Sequence, residues 1–176
     1  MNIWHDINSD RISAEKFVAY IEIQAGCKNK YELDKETGML RLDRILFTST
    51  HYPANYGFIP LTYAEDNDPL DVLVLCSEPI IPMTLVECYP IGVIKMNDSG
   101  SNDEKIVAVC CQDPVYNKAR SIKDIPDHIF AEFKHFFEVY KTLENKSTSV
   151  TEIDDRQEAI NIIKQCINRY QEKFKK

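Results

Sequence analysis

The chain has 176 residues and a formal net charge of −7, with 44% hydrophobic and 28% charged residues. This length fits one domain with its own hydrophobic core, and the composition is that of a globular protein. Because nucleic-acid binders usually present a basic face, the acidic balance argues against a nucleic-acid partner. No apolar run approaches the roughly 18 residues that a membrane helix needs, so no membrane partner is expected.

The cysteines and the N-terminal residues indicate the cellular compartment of the protein. The six cysteines include no C-x-x-C pair, which disfavours a zinc site or a disulfide scaffold. Reduced thiols suit the cytosol. The first six residues, Met-Asn-Ile-Trp-His-Asp, lack the features of a signal peptide. The sequence therefore predicts a cytoplasmic protein.

The first two thirds of the chain has the pattern of short strands. Residues 1–16 are polar and predict an N-terminal arm. The β-branched and aromatic run Phe17–Ile23 predicts a strand, and the apolar alternation around Thr37–Gly38 predicts a hairpin. The proline-rich segment 48–70 predicts an irregular loop. Further strands are predicted at Val72–Leu75, Thr84–Cys88, Ile91–Met96 and Ile106–Cys111.

After residue 120 the apolar period becomes helical. It predicts one helix over about residues 124–144, with Asp127 as its N-cap, and another over about 155–174. Many short strands before two helices predict an α+β fold, mainly β, in which the strands of about 17–112 close into a barrel. Periodicity alone leaves a sandwich as the alternative. The chain 1–176 is predicted to be a single domain.

The most informative segment is Glu65–Asp71, which holds three aspartates directly before an apolar strand. Carboxylates near a core are costly without a counter-charge, and the rigid Pro69 argues against a loose solvated loop. A calcium loop fails in detail, because Asp71 stands where such loops have Gly and Ser77 where they have Glu. A polar turn and a metal site remain as interpretations.

A second acidic pair, Asp98 and Asp103, also lies between two apolar strands. Loops that flank the strands of one barrel can converge at a common mouth. Carboxylates gathered there repel one another and stay ionised only with bound cations. Oxygen ligands suit Mg²⁺ or Mn²⁺ better than zinc. Two such cations about 4 Å apart can hold the oxygens of a phosphoryl transfer.

Basic side chains are interleaved with these acids: Lys30, Arg44, Lys105, and Lys141 next to Tyr140. Each alone is more often a surface charge, but together with metal-binding loops the four look like phosphate-binding groups. Glu22 and Glu32 lie on predicted strands among apolar neighbours, where an acid needs a partner. Tyr56 is a candidate hydroxyl donor, with aromatic packing as the alternative interpretation.

Taken in order along the chain, these motifs resemble those of the soluble family I inorganic pyrophosphatases of bacterial type. The markers are Lys30–Lys35, Leu42–Arg44, Tyr52–Gly57, the D-x-D-P-x-D signature at Asp66, Asp68, Pro69 and Asp71, the loop Met96–Lys105, and the pair Tyr140–Lys141. The resemblance covers roughly residues 17–144. It implies a five-stranded OB-like closed barrel with flanking C-terminal helices, and Mg²⁺-dependent hydrolysis of pyrophosphate to two phosphates.

The resemblance also implies roles for individual residues. It assigns metal ligation to Asp66, Asp71, Asp98, Asp103 and Glu22. It assigns substrate binding to Lys30, Arg44, Tyr56, Lys105, Tyr140 and Lys141. Asp68 would be the general base for a metal-bound water, Tyr56 a further catalytic residue, and Glu32 another polar residue of the active site. Several Mg²⁺ ions are implied, with Mn²⁺ and Zn²⁺ as candidate substitutes.

Three departures from the family pattern lie away from these ligands. Gln24 replaces the usual proline, Val139 stands where bacterial members have a histidine, and residues 145–150 lack the bacterial Gly and Trp pattern. The short chain resembles hexameric bacterial members, which predicts a homohexamer. Two rival functions stay open: a two-metal phosphatase of organic esters, and a non-catalytic OB-type barrel that binds oligonucleotides.

Overall fold

The computed structural model describes residues 1–174. Its strands are β1 (Phe17–Ile23), β2 (Asn29–Leu33), β3 (Leu40–Ile45), β4 (Asn55–Ile59), β5 (Leu70–Leu75), β6 (Leu85–Asp98), β7 (Ser101–Cys110) and β8 (Thr148–Asp155). Its α-helices are α1 (Asp127–Val139) and α2 (Arg156–Phe174). Short 3-10 helices lie at Ser9–Arg11, Ile122–Asp124 and Thr142–Glu144.

Five strands form a closed ring in the order β1-β4-β5-β7-β6, because β6 returns to pair with β1. The closing pair is antiparallel and sets Phe17 opposite Cys88. Strands β5 and β7 run parallel, with Asp71 opposite Lys105, whereas the other neighbours in the ring are antiparallel. The prediction of a mainly β, α+β fold with a five-stranded OB-like barrel is confirmed.

The central strand β5 shows how the core is divided. Val72 and Val74 pack in one apolar cluster with residues of α2, and Leu73 and Leu75 pack in a second cluster with the phenylalanines of α1. Both faces of this strand are therefore buried, which explains its continuous apolar sequence. Burial on both faces fixes the strand firmly, so the aspartate Asp71 near its start has a defined position.

Strand β4 lies inside the segment 48–70, so the prediction of an irregular loop there was wrong over residues 55–59. Gly57 looks like a turn signal in the sequence, but here it allows a close strand contact. A Cβ atom at this position would lie 1.9 Å from the carbonyl oxygen of Tyr20 on β1. The glycine therefore permits β1 and β4 to approach each other.

The single strand β6 replaces two predicted strands. Pro90 lies inside it, and the register with β7 shifts between Pro90 and Gly92, so a bulge accommodates the missing N–H group. Strand β8 was not predicted. It pairs antiparallel with β6 from Asp98 to Gly92, and its side chains are exposed or half-buried, so the sequence carries no apolar alternation there.

Both predicted helices are present with small differences at their ends. Helix α1 begins at Asp127, and Pro126 rather than Asp127 occupies the N-cap position. The region predicted as its last turn forms the separate 3-10 helix Thr142–Glu144. Helix α2 follows β8 directly. Within residues 1–174, no helix combines the length and apolarity needed to cross a bilayer.

The N-terminal segment is packed against the rest of the chain. Trp4 is buried, and its indole N–H donates to the carbonyl oxygen of Thr62 at 2.9 Å. The Asn2 side chain donates to the carbonyl oxygen of Lys35 at the hairpin tip at 3.0 Å. The His5 ring lies 2.7 Å from the Tyr170 hydroxyl on α2. These contacts join the segment to the hairpin, the barrel and the last helix.

Candidate active site

A cavity of about 470 Å³ brings together side chains from widely separated parts of the chain. Its acidic lining residues are Glu22, Glu32, Asp34, Asp66, Asp68, Asp71, Asp98 and Asp103. Its basic lining residues are Lys30, Lys35, Arg41, Lys105 and Lys141. The two acidic segments recognised in the sequence, 66–71 and 98–103, therefore meet in one place, with lysines and an arginine among them.

The parallel pairing of β5 and β7 builds the centre of this cavity. It sets Asp71 beside Lys105, and the Lys105 ammonium group donates to Asp71 at 2.6 Å and to Asp103 at 2.8 Å. The Lys105 side chain is only 3% exposed. Burial alone would lower the pKa of Lys105, but the carboxylates of Asp103 and Asp71 outweigh burial and hold it well above its usual value.

The turn before β5 presents Asp68 at the edge of the cavity. Its backbone N–H donates to the Asp66 carboxylate at 3.1 Å, and Asn67 between them adopts a left-handed conformation with φ of 69°. The Asp68 carboxylate is about half exposed and forms an ion pair with Lys35. The turn thus holds Asp68 outward, where a water molecule can reach it.

Three acids in the cavity, Glu22, Asp34 and Asp66, have no basic side chain in close contact among the described residues. Glu22 is buried and accepts a hydrogen bond from the Leu33 backbone N–H at 2.7 Å; burial, and then Asp71, raise its pKa to about 8. Burial, and then Asp71, raise the pKa of Asp66 to about 6. Burial is the larger cause of both shifts, and the neighbouring carboxylate of Asp71 adds to it; carboxylate oxygens of this kind are the donors that divalent cations prefer.

The other acids of the cavity form ion pairs with lysine or arginine side chains of the protein. Lys105 contacts Asp71 and Asp103, and Lys141 forms an ion pair with Asp98. Across residues 1–174, no three His, Cys, Asp or Glu side chains are grouped as a ready-made metal site. The donor chemistry fits divalent cations, while the side-chain positions are those of an ion-paired cluster.

The predicted phosphate-binding groups lie around the same cavity, with one exception. Lys30 contacts Glu32 at 3.1 Å and lines the cavity. Tyr56, Tyr140 and Lys141 line it as well. Arg44 is absent from the lining and instead contacts Asp43 at 2.6 Å and Glu144 at 2.7 Å.

The two tyrosines are buried, and both lie close to a lysine. The Lys105 ammonium group lies 5.6 Å from the centre of the Tyr56 ring. Lys141 lies 5.3 Å from the ring of Tyr140. Burial raises the pKa of each phenol above its usual value, so both tyrosines are hydroxyl donors rather than phenolates at neutral pH.

Sequence reasoning missed several lining residues: Trp4, Asp34, Lys35, Arg41 and Tyr52. Arg41 could have been inferred from the hairpin, because a regular register places it opposite Glu32, with which it forms an ion pair. Lys35 and Tyr52 lie within the recognised motifs but carried no assigned role. Trp4 had no signal, since its position depends on how the N-terminal segment folds back.

Comparison with known proteins adds independent information. The sequence profile of the inorganic pyrophosphatase family matches residues 19–171. A soluble inorganic pyrophosphatase of Solanum tuberosum is 46% identical over 169 residues, which cover 96% of this chain and 80% of that protein. A second one, from Chlamydomonas reinhardtii, is 46% identical over 171 residues, covering 97% of this chain and 89% of the relative.

Solved structures agree with these matches. The inorganic pyrophosphatase of Thermus thermophilus superposes with a TM-score of 0.93 at 37% identity, covering 97% of this chain and 99% of the other. That of Helicobacter pylori superposes with a TM-score of 0.87 at 39% identity, covering 90% and 95%. The profile match spans most of the chain, and the Solanum tuberosum and Chlamydomonas reinhardtii proteins are each 46% identical to it in sequence. The chain belongs to the inorganic pyrophosphatase family.

Proposed function

We propose that this chain hydrolyses inorganic pyrophosphate to two orthophosphates with Mg²⁺ as its metal. The observation that carries the proposal is the meeting of eight acidic and five basic side chains around one cavity. Acids alone would suit a cation site, and bases alone would suit an anion site. A small, highly charged anion bound together with divalent cations requires both.

The carboxylates of Asp66, Asp71, Asp98, Asp103 and Glu22 would hold the divalent cations. Bound cations of this kind lower the pKa of a coordinated water, so that hydroxide is available near neutral pH. An all-oxygen donor set suits Mg²⁺, and Mn²⁺ and Zn²⁺ are the substitutes to compare with it. Glu22 and Asp66 support this assignment, because both line the cavity beside Asp71 and have no basic side chain in close contact among the described residues.

The other residues would bind the substrate and move a proton. Asp68, held outward by its turn, would accept the proton of the attacking water. Lys30, Lys141 and the Tyr140 hydroxyl would contact phosphate oxygens, each lysine exchanging its present carboxylate partner for the anion. The Tyr56 hydroxyl would donate a hydrogen bond to the same substrate. Direct attack by water needs no covalent intermediate on the protein.

Lys105, Arg44 and Glu32 would complete this arrangement. Lys105 is already held between Asp71 and Asp103, so it can stabilise charge that develops on a phosphate without moving far. Arg44 stands directly opposite Lys30 in the hairpin and would reach the same phosphate. Glu32 contacts Lys30 at 3.1 Å and would orient that lysine.

A substrate panel under Mg²⁺ tests the proposal. Phosphate release would be compared for pyrophosphate, tripolyphosphate and p-nitrophenyl phosphate, with the Asp68→Asn variant as a control for contaminating phosphatases. We expect pyrophosphate to be strongly preferred and the control to be nearly inactive. Preference for the organic ester would replace this proposal with an ester phosphatase.

We further propose that residues 1–176 form one domain, that six copies assemble, and that the protein acts in the cytoplasm. The support is the resemblance to hexameric bacterial members, together with a core shared by the barrel and both helices. Sedimentation equilibrium measures the assembly directly. A mass of six times 20.4 kDa is expected, and a monomer at micromolar concentration would contradict the hexamer.

A further inference from the structure

Arg44, the predicted phosphate-binding residue that does not line the cavity, is held by a glutamate with no assigned role. Its Nε lies 2.7 Å from Oε1 of Glu144 in the 3-10 helix Thr142–Glu144. The glutamate side chain is 8% exposed and the arginine side chain 19%. Such burial distinguishes this pair from exposed surface ion pairs, which contribute little to the free energy of unfolding.

The pair connects two parts of the chain that both contribute to the cavity. Arg44 lies on β3, and the β2–β3 hairpin forms a two-stranded sheet of its own. Lys30, directly opposite Arg44 in that hairpin, lines the cavity. Lys141, three residues before Glu144, lines the same cavity. The Arg44–Glu144 contact therefore fixes the hairpin against the segment that follows α1.

The backbone holds Glu144 in a defined place. The Glu144 N–H donates to the carbonyl oxygen of Lys141 at 3.0 Å. The Asn145 N–H donates to the carbonyl oxygen of Thr142 at 3.2 Å. Asn145 then ends the turn in the left-handed conformation, with φ of 56°. Because these hydrogen bonds fix the turn, the Glu144 carboxylate has a defined position from which it can orient the Arg44 guanidinium group.

The hydrogen bonding of the pair is incomplete within the described residues. Nε and Nη2 of Arg44 and Oε2 of Glu144 are all buried and lack a hydrogen-bond partner there, so the 2.7 Å contact between Nε and Oε1 is an ion pair without hydrogen-bond geometry. A buried ion pair with unsatisfied atoms is a weak source of stability, because desolvation offsets much of the attraction. The pair is better explained by orientation of the guanidinium group, whose Nη2 is left for another acceptor such as a phosphate oxygen.

We propose that Glu144 is a positioning residue for Arg44: it orients the guanidinium group for pyrophosphate and couples the hairpin to the end of α1. The inference rests on the proposed function, because it assumes that Arg44 contacts the substrate. Glu144 itself touches neither the substrate nor the reacting atoms. Its effect on turnover must therefore disappear when Arg44 is absent.

A double-mutant cycle on kcat/KM for pyrophosphate tests this dependence. We expect Glu144→Gln to lower kcat/KM by about 10- to 100-fold, the range for a misplaced binding group, with most of the change in KM. In an Arg44→Ala background the same substitution should change kcat/KM by less than about twofold. Glu132→Gln, an exposed position on α1, is the matched control and should leave kcat/KM unchanged.

Each other outcome overturns the role of Glu144. An equal loss in both backgrounds would mean that it acts independently of Arg44, and no loss in the wild-type background would mean that it does nothing. Glu144→Asp, which keeps the charge, should recover part of the kcat/KM lost in Glu144→Gln. If circular dichroism showed both variants unfolded, the pair would be structural.

The wild-type rate in the same assay separates this inference from the proposed function. A wild-type protein that releases no phosphate from pyrophosphate removes the proposed function itself. An active wild type with an additive cycle removes only the positioning role of Glu144.

Discussion

The ammonium nitrogen of Lys105 lies 2.6 Å from Oδ2 of Asp71, across the parallel pair of strands in the barrel ring. Both residues belong to strands whose faces are packed on apolar clusters, so neither can withdraw easily into solvent. The lysine acts as a built-in counter-cation for the acids of the cavity. Its removal should therefore affect folding as well as chemistry.

We expect Lys105→Met to lower the free energy of unfolding by about 3–5 kcal/mol, because it leaves the partly buried carboxylates of Asp71 and Asp103 without their buried cation. Urea denaturation in the absence of divalent cations measures this change. Lys95→Met is the matched control: Lys95 also contacts several acids, including Asp154 at 2.8 Å, but its side chain is 28% exposed. That variant should lose about 1 kcal/mol or less. Equal losses would contradict the importance of burial.

Asp68→Asn should lower kcat by about 10²- to 10⁴-fold, the usual span for a lost general base, and leave the fold intact. The fold should survive because the Asp68 side chain is half exposed and its turn is held by backbone hydrogen bonds. Steady-state kinetics measures the change in kcat, and circular dichroism shows whether the fold is intact. Glu36→Gln, at the exposed hairpin turn, should behave as the wild type. A nearly normal rate for Asp68→Asn would refute its role as the base.

Trp4 is the only tryptophan in the sequence, and it lines the cavity. The Lys35 ammonium group lies 5.6 Å from the centre of its ring and is paired with Asp68. We expect its fluorescence to change when Mg²⁺ and phosphate are added together, since both ions compete for the Lys35–Asp68 pair. The response should be much smaller in Lys35→Met. Unchanged emission of the wild type at saturating ligand would place ligand binding elsewhere.

His5 gives a prediction about pH. Burial lowers its pKa below the usual value, with Asp6 opposing part of the effect. The folded chain therefore releases this proton more readily than the unfolded chain, whose histidine titrates near pH 6.5. The neutral His5 ring therefore favours the folded chain above about pH 6.5, and this contribution to the free energy of unfolding is lost as the pH falls toward the lowered pKa of the folded chain. Urea denaturation of the wild type and His5→Asn between pH 8 and about 5.5 should show a smaller pH dependence in the variant. Identical pH dependences would contradict the burial effect.

Parts of the fold that depend on local pattern could be predicted from the sequence. Strand Phe17–Ile23 and the hairpin around Gly38 were predicted because their side chains alternate or are β-branched. Strand β4 was missed because the constraint on Gly57 is an atom of β1, 37 residues earlier in the sequence. Strand β8 was missed because an edge strand with half-exposed polar side chains has no apolar period.

For the cavity too, local sequence pattern identified some residues, whereas others depend on contacts distant in sequence. The acids at 66–71 and at 98 and 103 were identified from local density of charge before apolar strands. Their convergence needed the parallel β5–β7 pair, which no local pattern specifies. The positions of Trp4 and Arg44 depend on contacts with Thr62 and Glu144, both far away in sequence. Such contacts become visible only when the chain is folded.

The most direct test is phosphate release from pyrophosphate as a function of Mg²⁺ concentration, for the wild type and Asp71→Asn. If carboxylates from separate segments hold divalent cations against a small anion, the wild type releases phosphate only with Mg²⁺. Asp71→Asn should then need a higher Mg²⁺ concentration for half-maximal rate. Phosphate release without any divalent cation, or an Asp71→Asn curve that coincides with the wild-type curve, would contradict the proposed metal-dependent hydrolysis.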